Sequence, residues 1–221
     1  MKPAPTPTTI LRLMHQDNLH ICLRRGGIYA PNHTPADGLT YKVIHNMEIQ
    51  SRRQRTAIPC GPGGTIHDYV SFYFGFLSPM LLQLKTGQVR DYAEGQEPLI
   101  YLIATAQDIQ QHGTRFVFAD GHGLASFTQW YNDLRDLDKV DWTAVNLRYW
   151  ADTQDDKDRQ RRKQAEFLIY QFCDWSLIRE IVVMNAGIKT KSSRFCSNTR
   201  RRLGGRSGSE GIGTTIERRR Q

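Results

Sequence analysis

Gln164-Ala165-Glu166-Phe167-Leu168-Ile169-Tyr170 is the stretch on which the reading of this chain turns. Aromatic and β-branched residues dominate it, which predicts a strand. Alternation sends Ala165, Phe167 and Ile169 to one face and Glu166, Leu168 and Tyr170 to the other. A lone carboxylate therefore sits among residues that seek burial. An ionised carboxylate leaves water only when a cation or hydrogen-bond donors stand beside it. Two readings follow. Glu166 is half exposed at the strand's start and answers Arg159, Arg161, Arg162 or Lys163, the commoner use of such a residue. Otherwise it is a functional acid whose partner lies elsewhere in the chain.

Working outward, Thr9 to Met14, Asp68 to Gly75, Leu99 to Ala104, Phe116 to Phe118 and Glu180 to Met184 also read as strands. Asp17 is placed to cap a helix over Asn18 to Arg25, closed by Gly26-Gly27. Helical stretches are expected after Ser78 and over Gln107 to His112, the latter stopped by Gly113. Ser126 is placed to cap a helix carrying Phe127, Trp130, Tyr131, Leu134 and Leu137, and Asp141 another running through Tyr149. Thr153 to Lys163 is a charge run, expected as a solvated loop or helix. Strands and helices interleave without a steady β-α-β rhythm, which favours an α+β class over α/β.

The 221 residues predict one domain, or one domain and a tail. After Ile188 there are ten Lys/Arg and two Asp/Glu, which accounts for the whole formal charge of +8; residues 1–188 are neutral. The boundary is therefore drawn there, with 189–221 as a basic Arg/Gly/Ser-rich tail expected to be disordered. That composition resembles translation in a shifted frame, or a basic tail adding non-specific DNA affinity. Cys22, Cys60, Cys173 and Cys196 show no metal or disulfide spacing, so reduced thiols and a cytoplasmic location are expected. No apolar run approaches the roughly 20 residues of a membrane span, and no signal peptide is read at the start.

Several chemistries lack their residues. The seven histidines form no metal-ligand pattern, so no metal is expected. There is no Gly-x-Ser-x-Gly elbow and no Walker or dinucleotide glycine motif. What remains is Arg53 with its neighbours, the Gly61 to Phe74 segment, the Asp120-Gly121-His122 turn and Glu166. Such a set suits an anionic, ribose-bearing ligand: arginine holds phosphate, and a carboxylate steadies oxocarbenium charge. Against this, Arg53 reads equally as part of a solvated basic face, and His122 more readily as an ordinary turn residue.

The segments Ile49-Gln50-Ser51-Arg52-Arg53-Gln54-Arg55, Pro62 to Phe74 (PGGTIHDYVSFYF), Ser78-Pro79-Met80-Leu81 and Gln164 to Leu168 closely resemble the DarT family, over about Ile10 to Met184. Its members are the toxins of DarT–DarG toxin–antitoxin pairs. The resemblance implies an ADP-ribosyltransferase-like fold with a split, mostly antiparallel sheet and flanking helices. It implies transfer of ADP-ribose from NAD to a base, typically thymine, in single-stranded DNA, and a macrodomain antitoxin as partner. A catalytically impaired single-strand-binding remnant of the family is the alternative.

By position, the resemblance makes Arg53 and Glu166 the catalytic pair, and Arg12, Leu13, Met14, Ile21, Tyr29 and Arg53 the residues that contact NAD. Arg12-Leu13-Met14 stands where family members carry His-Ile-Thr. Residues from Pro35 to Arg55 resemble the segment that closes over NAD, and Ala125 to Glu166 the loop that presents substrate. On this reading Glu166 holds the nicotinamide ribose, while Arg53 holds the phosphates and orients the base. An arginine's high pKa disfavours it as a proton acceptor and favours an electrostatic role.

Overall fold

Strand order decides where a cleft can open in this molecule. The computed structural model describes Lys2 to Val183. Nine strands run β1 (Thr9–His15), β2 (Gly27–Tyr29), β3 (Tyr69–Tyr73), β4 (Leu99–Thr105), β5 (Phe116–Ala119), β6 (Trp130–Tyr131), β7 (Glu166–Tyr170), β8 (Phe172–Asp174) and β9 (Glu180–Val183). Seven form one sheet in the order β6-β5-β7-β3-β1-β4-β9, every pairing antiparallel, and β2 pairs with β8 apart from it. β1 and β4 zip along seven residue pairs, but β1 and β3 share one, Leu11 with Tyr73. The sheet is split at that point, as expected of the fold.

Both faces of the sheet are covered. Ala165, Phe167 and Ile169 enter the main core with Phe72, Phe118 and Leu102, while Leu168 packs with Tyr69, Val117 and Ile66 on the other face. Phe167 stacks on Phe116 and Phe118. The alternation read from the sequence is therefore present, with no face of β7 left for solvent.

The helices are α1 (Leu19–Arg24), α2 (Met47–Arg55), α3 (Pro79–Lys85), α4 (Ala106–Gln111), α5 (Trp142–Val145) and α6 (Arg159–Lys163). Asp17 does not cap α1: Asn18 occupies that place, and Asp17 sits in a preceding 3-10 turn. Polar spacing hid α2 altogether. It has no apolar stripe; Asn46 caps it through the N–H groups of Glu48 and Ile49, and three arginines occupy its last turn, where the dipole favours them. Its single buried residue is Arg53.

The helix expected after Ser126 does not form. Trp130 and Tyr131 pair with Ala119 and Phe118 of β5 instead, and Tyr131 stacks on Phe118. Their spacing imitates a helical stripe, but aromatic residues gain as much on a strand. Asp141 caps α5 as expected, yet α5 stops at Val145 and Tyr149 is 80% exposed. The charge run is not freely solvated. Arg162 pairs with Asp141 and Asp156, and Arg161 with Asp120 and Asp158. The 189–221 tail and Met184 lie outside the described residues. No helix among the described residues is long and apolar enough to cross a membrane.

Candidate active site

Glu166 opens β7 and is 1% exposed. Its partner is none of the nearby basic residues. Arg53, 113 residues away, donates from Nη1 to Oε1 at 3.1 Å and from Nη2 to Oε2 at 2.8 Å. The Gly123 N–H adds a third bond, to Oε1 at 3.0 Å. Any side chain at position 123 would press on this carboxylate, since a Cβ there would lie 2.6 Å from Oε1. Arg53 is 7% exposed and also donates from Nη2 to the Ser71 hydroxyl at 2.8 Å. A planar fork with three acceptors in fixed places is a task for arginine rather than lysine.

The electrostatics follow. Burial pushes the Glu166 carboxyl up, but the charge and hydrogen bonds of Arg53 outweigh it and hold the group below the usual glutamate range. Burial likewise pulls Arg53 down, and Glu166 more than offsets that. The pair is thus ionised in a dry setting.

Beside it lies a cavity of about 420 Å³. Arg12, Leu13 and Met14 line it from β1, Ser71 and Tyr73 from β3, and Tyr29 from β2. Arg53 reaches its wall, whereas Glu166 does not and lies behind the guanidinium. Residues 41–46, before α2, run along the cavity wall as an irregular strap. That strap is tied down by Arg25 on Asp37 and by mutual hydrogen bonds between Asn18 and the Lys42 backbone. Of the residues assigned by resemblance, the structure brings Arg12, Leu13, Met14, Tyr29 and Arg53 to one cavity. Ile21 is not on its wall; its side chain is buried from α1.

His122 is more than a turn residue. It lines the cavity one residue from the Gly123 N–H. Burial, then the charges of Arg53 and Arg52, outweigh Glu166 and hold its pKa below the ordinary histidine value, so it is neutral at pH 7. Nδ1 accepts from the Leu124 N–H, which leaves the proton on Nε2. Gly121 lets the same loop pass against the Arg161 guanidinium, 2.3 Å from where a Cβ would stand. Ser71 and Tyr73 fall inside the Gly61 to Phe74 segment marked in the sequence but were not singled out within it. Their alternation on an aromatic strand was legible, but nothing local showed that the sheet splits beside them.

Residues 11–203 match the model of a family described as "ssDNA thymidine ADP-ribosyltransferase, DarT". The chain belongs to the DarT family. A relative from Thermus sp. strain 2.9, a DNA ADP-ribosyl transferase, is 41% identical over 179 residues, covering 81% of this chain and 82% of its own. DarT from Thermus sp. 2.9 in complex with ADP-ribosylated ssDNA superposes with a TM-score of 0.87 at 34% identity, over 98% of this chain and 97% of that one. The same protein in complex with NAD+ gives 0.82 at 32%, over 97% and 98%. The DarT match runs past Ile188, where the charge count had placed a boundary.

Within this DarT-family site the Ser71 hydroxyl is the third acceptor of the arginine fork. Ser71→Ala removes one hydrogen bond to a charged donor, worth roughly 1.5–3 kcal/mol. The turnover rate of transfer is expected to fall about tenfold to a hundredfold with little change in the NAD requirement. Ser71→Thr, which keeps the hydroxyl, restores it. Steady-state rates for the three proteins decide; an unchanged rate for Ala removes Ser71 from the site.

Proposed function

We propose that this chain transfers ADP-ribose from NAD to a base, thymine by its family's description, in single-stranded DNA and releases nicotinamide. The observation that carries the reading is the buried Glu166 held ionised by Arg53 and the Gly123 N–H beside a nucleotide-sized cavity. The DarT relatives solved with NAD+ and with ADP-ribosylated ssDNA support it.

Arg12, Leu13, Met14 and Tyr29 form the wall against which NAD lies; Ile21 acts from behind it, through packing. Three of about four acceptor positions on the Glu166 carboxylate are used, which leaves one on Oε2. That position takes a ribose hydroxyl once Arg53 turns about its Ser71 contact. Glu166 then stabilises the positive charge that grows on the ribose as the bond from C1′ to nicotinamide breaks and nicotinamide leaves with the electron pair. The base nitrogen forms the new bond to C1′ and gives up its proton to water. Arg53, freed from one oxygen, lies against the base and lowers the cost of that loss. The neutral His122 donates from Nε2 at the same place. Both catalytic groups are in place, which supports an enzyme rather than a binding remnant. A macrodomain antitoxin of the DarG kind is the partner that removes the mark. A cytoplasmic location suits the free thiols of Cys22, Cys60 and Cys173.

The test is incubation with NAD and oligonucleotides of varied sequence, with mass spectrometry for an added ADP-ribose. Single strands containing thymine are expected to be modified at least about a hundredfold faster than the same sequence in duplex, because pairing and stacking withhold the reacting edge. Equal labelling of both forms, or labelling of strands lacking thymine, overturns the reading.

A further inference from the structure

Two arginines reach the cavity, and they are in different electrical states. Arg53 already faces a carboxylate through two bonds. Arg12 has none. Its Nη1 donates to the Ser71 backbone carbonyl at 2.8 Å, and among the described residues no Asp or Glu pairs with it. The groups that set its electrostatics are Cys22, Tyr41, Cys173 and Tyr73, thiols and phenols that carry no charge at pH 7. Burial is the largest influence on Arg12 and pulls its pKa down. A half-buried guanidinium on the wall of a cavity, with no carboxylate beside it, marks a place that receives an anion.

The surroundings agree. His45, on that strap, lines the same cavity, and its ring makes no hydrogen bond among the described residues. Burial, then the charges of Arg12, His67 and Arg53, depress its pKa to about 4. His67 is depressed by burial and by Arg53. Arg12, His45, His67 and Arg53 thus face the same space, with Lys42 and His122 also on its wall, while Glu166 is off the wall behind Arg53.

We propose that Arg12 is the receptor for the diphosphate of the dinucleotide substrate, that His45 closes over the same anion from the strap, and that Arg53 serves Glu166 and the base instead. This rests on the NAD reading above and divides the labour of its two arginines. It differs from the expectation that Arg53 grips the phosphates. A phosphate of the DNA backbone has the same chemistry as a nucleotide phosphate, so the experiment must separate the two.

Wild type, Arg12→Met and Arg12→Lys are titrated calorimetrically with ADP-ribose, inorganic pyrophosphate and a thymine-containing single-stranded oligonucleotide. Arg12→Met is expected to weaken ADP-ribose and pyrophosphate about thirtyfold or more, and the oligonucleotide by less than about threefold. Arg12→Lys keeps part of the affinity. The thermal midpoint of ligand-free Arg12→Met is expected to equal or exceed that of wild type, because an uncompensated charge has left the fold. A merely structural arginine gives the opposite: a lower midpoint and a parallel loss for all three ligands. ADP-ribose affinity kept within about threefold overturns the proposal, as does a loss confined to the oligonucleotide. If wild type fails to modify DNA while pyrophosphate binding still depends on Arg12, the transferase reading falls and the anion site stands.

Discussion

Glu166→Gln is expected to slow ADP-ribose transfer to single-stranded DNA by a factor on the order of 10² to 10³, with the chain still folded. The amide keeps the size of the carboxylate and an oxygen for the Gly123 N–H, but it loses the charge that, on the proposed mechanism, meets the developing cation. Glu166→Ala is a different experiment. It leaves the Arg53 guanidinium buried without its partner, a loss of roughly 3–5 kcal/mol. Inactivity of the Ala variant therefore mixes catalysis with folding, and the Gln variant separates them. Initial rates and thermal midpoints measured together decide. A Gln variant with more than about a tenth of wild-type rate ends the catalytic reading of β7. Acid adds a second signature. The folded pKa of Glu166 lies below the ordinary 4.5, so its stabilising contribution is complete above that value and is lost as the pH falls through the depressed folded pKa. The stability gap between wild type and Gln should close over that window.

Arg53→Lys is expected to cost about a hundredfold in transfer, although the charge is conserved. One ammonium cannot hold both oxygens of Glu166 and the Ser71 hydroxyl in a plane. Arg53→Met leaves Glu166 uncompensated and loses stability as Glu166→Ala does. The double variant Arg53→Met with Glu166→Leu should recover most of that stability and remain inactive, because an apolar pair replaces a buried ion pair at little net cost. Recovery without activity assigns the pair to chemistry. A double variant as unstable as the sum of the singles shows instead that the pair chiefly holds the sheet to α2.

How much of this could be read beforehand differs residue by residue. β7 and β4 were legible because their burial is continuous and their residues are β-branched or aromatic. The unease of Glu166 among apolar neighbours was legible too, but its partner was not, since a contact across 113 residues leaves no local trace. Arg53 sits on a helix that the usual periodicity cannot reveal, for its one buried position is the charged one. The resemblance of Ile49 to Arg55 to a known family supplied what the pattern withheld. His122 and Ser71 read as ordinary because turn and strand residues of these types are common, and only the folded loop brings the Gly123 N–H onto Glu166. The false helix at Phe127 to Leu137 shows the converse: a convincing helical spacing gave way to two aromatic residues pairing with β5.

The single residue pair joining β1 to β3 gives the molecule a line of weakness with the cavity on it. Backbone amides on either side belong to ladders that can protect themselves independently, β1 with β4 and β3 with β7. Across the line, the Arg12 side chain reaching the Ser71 carbonyl stitches what the backbone does not. A ligand that engages Arg12 from one ladder and Glu166 from the other, with Arg53 of α2 set against Glu166, becomes a cross-brace between two separately cooperative halves. Substrate is then a structural member of the enzyme while it is bound, and its departure returns the molecule to two loosely seamed plates.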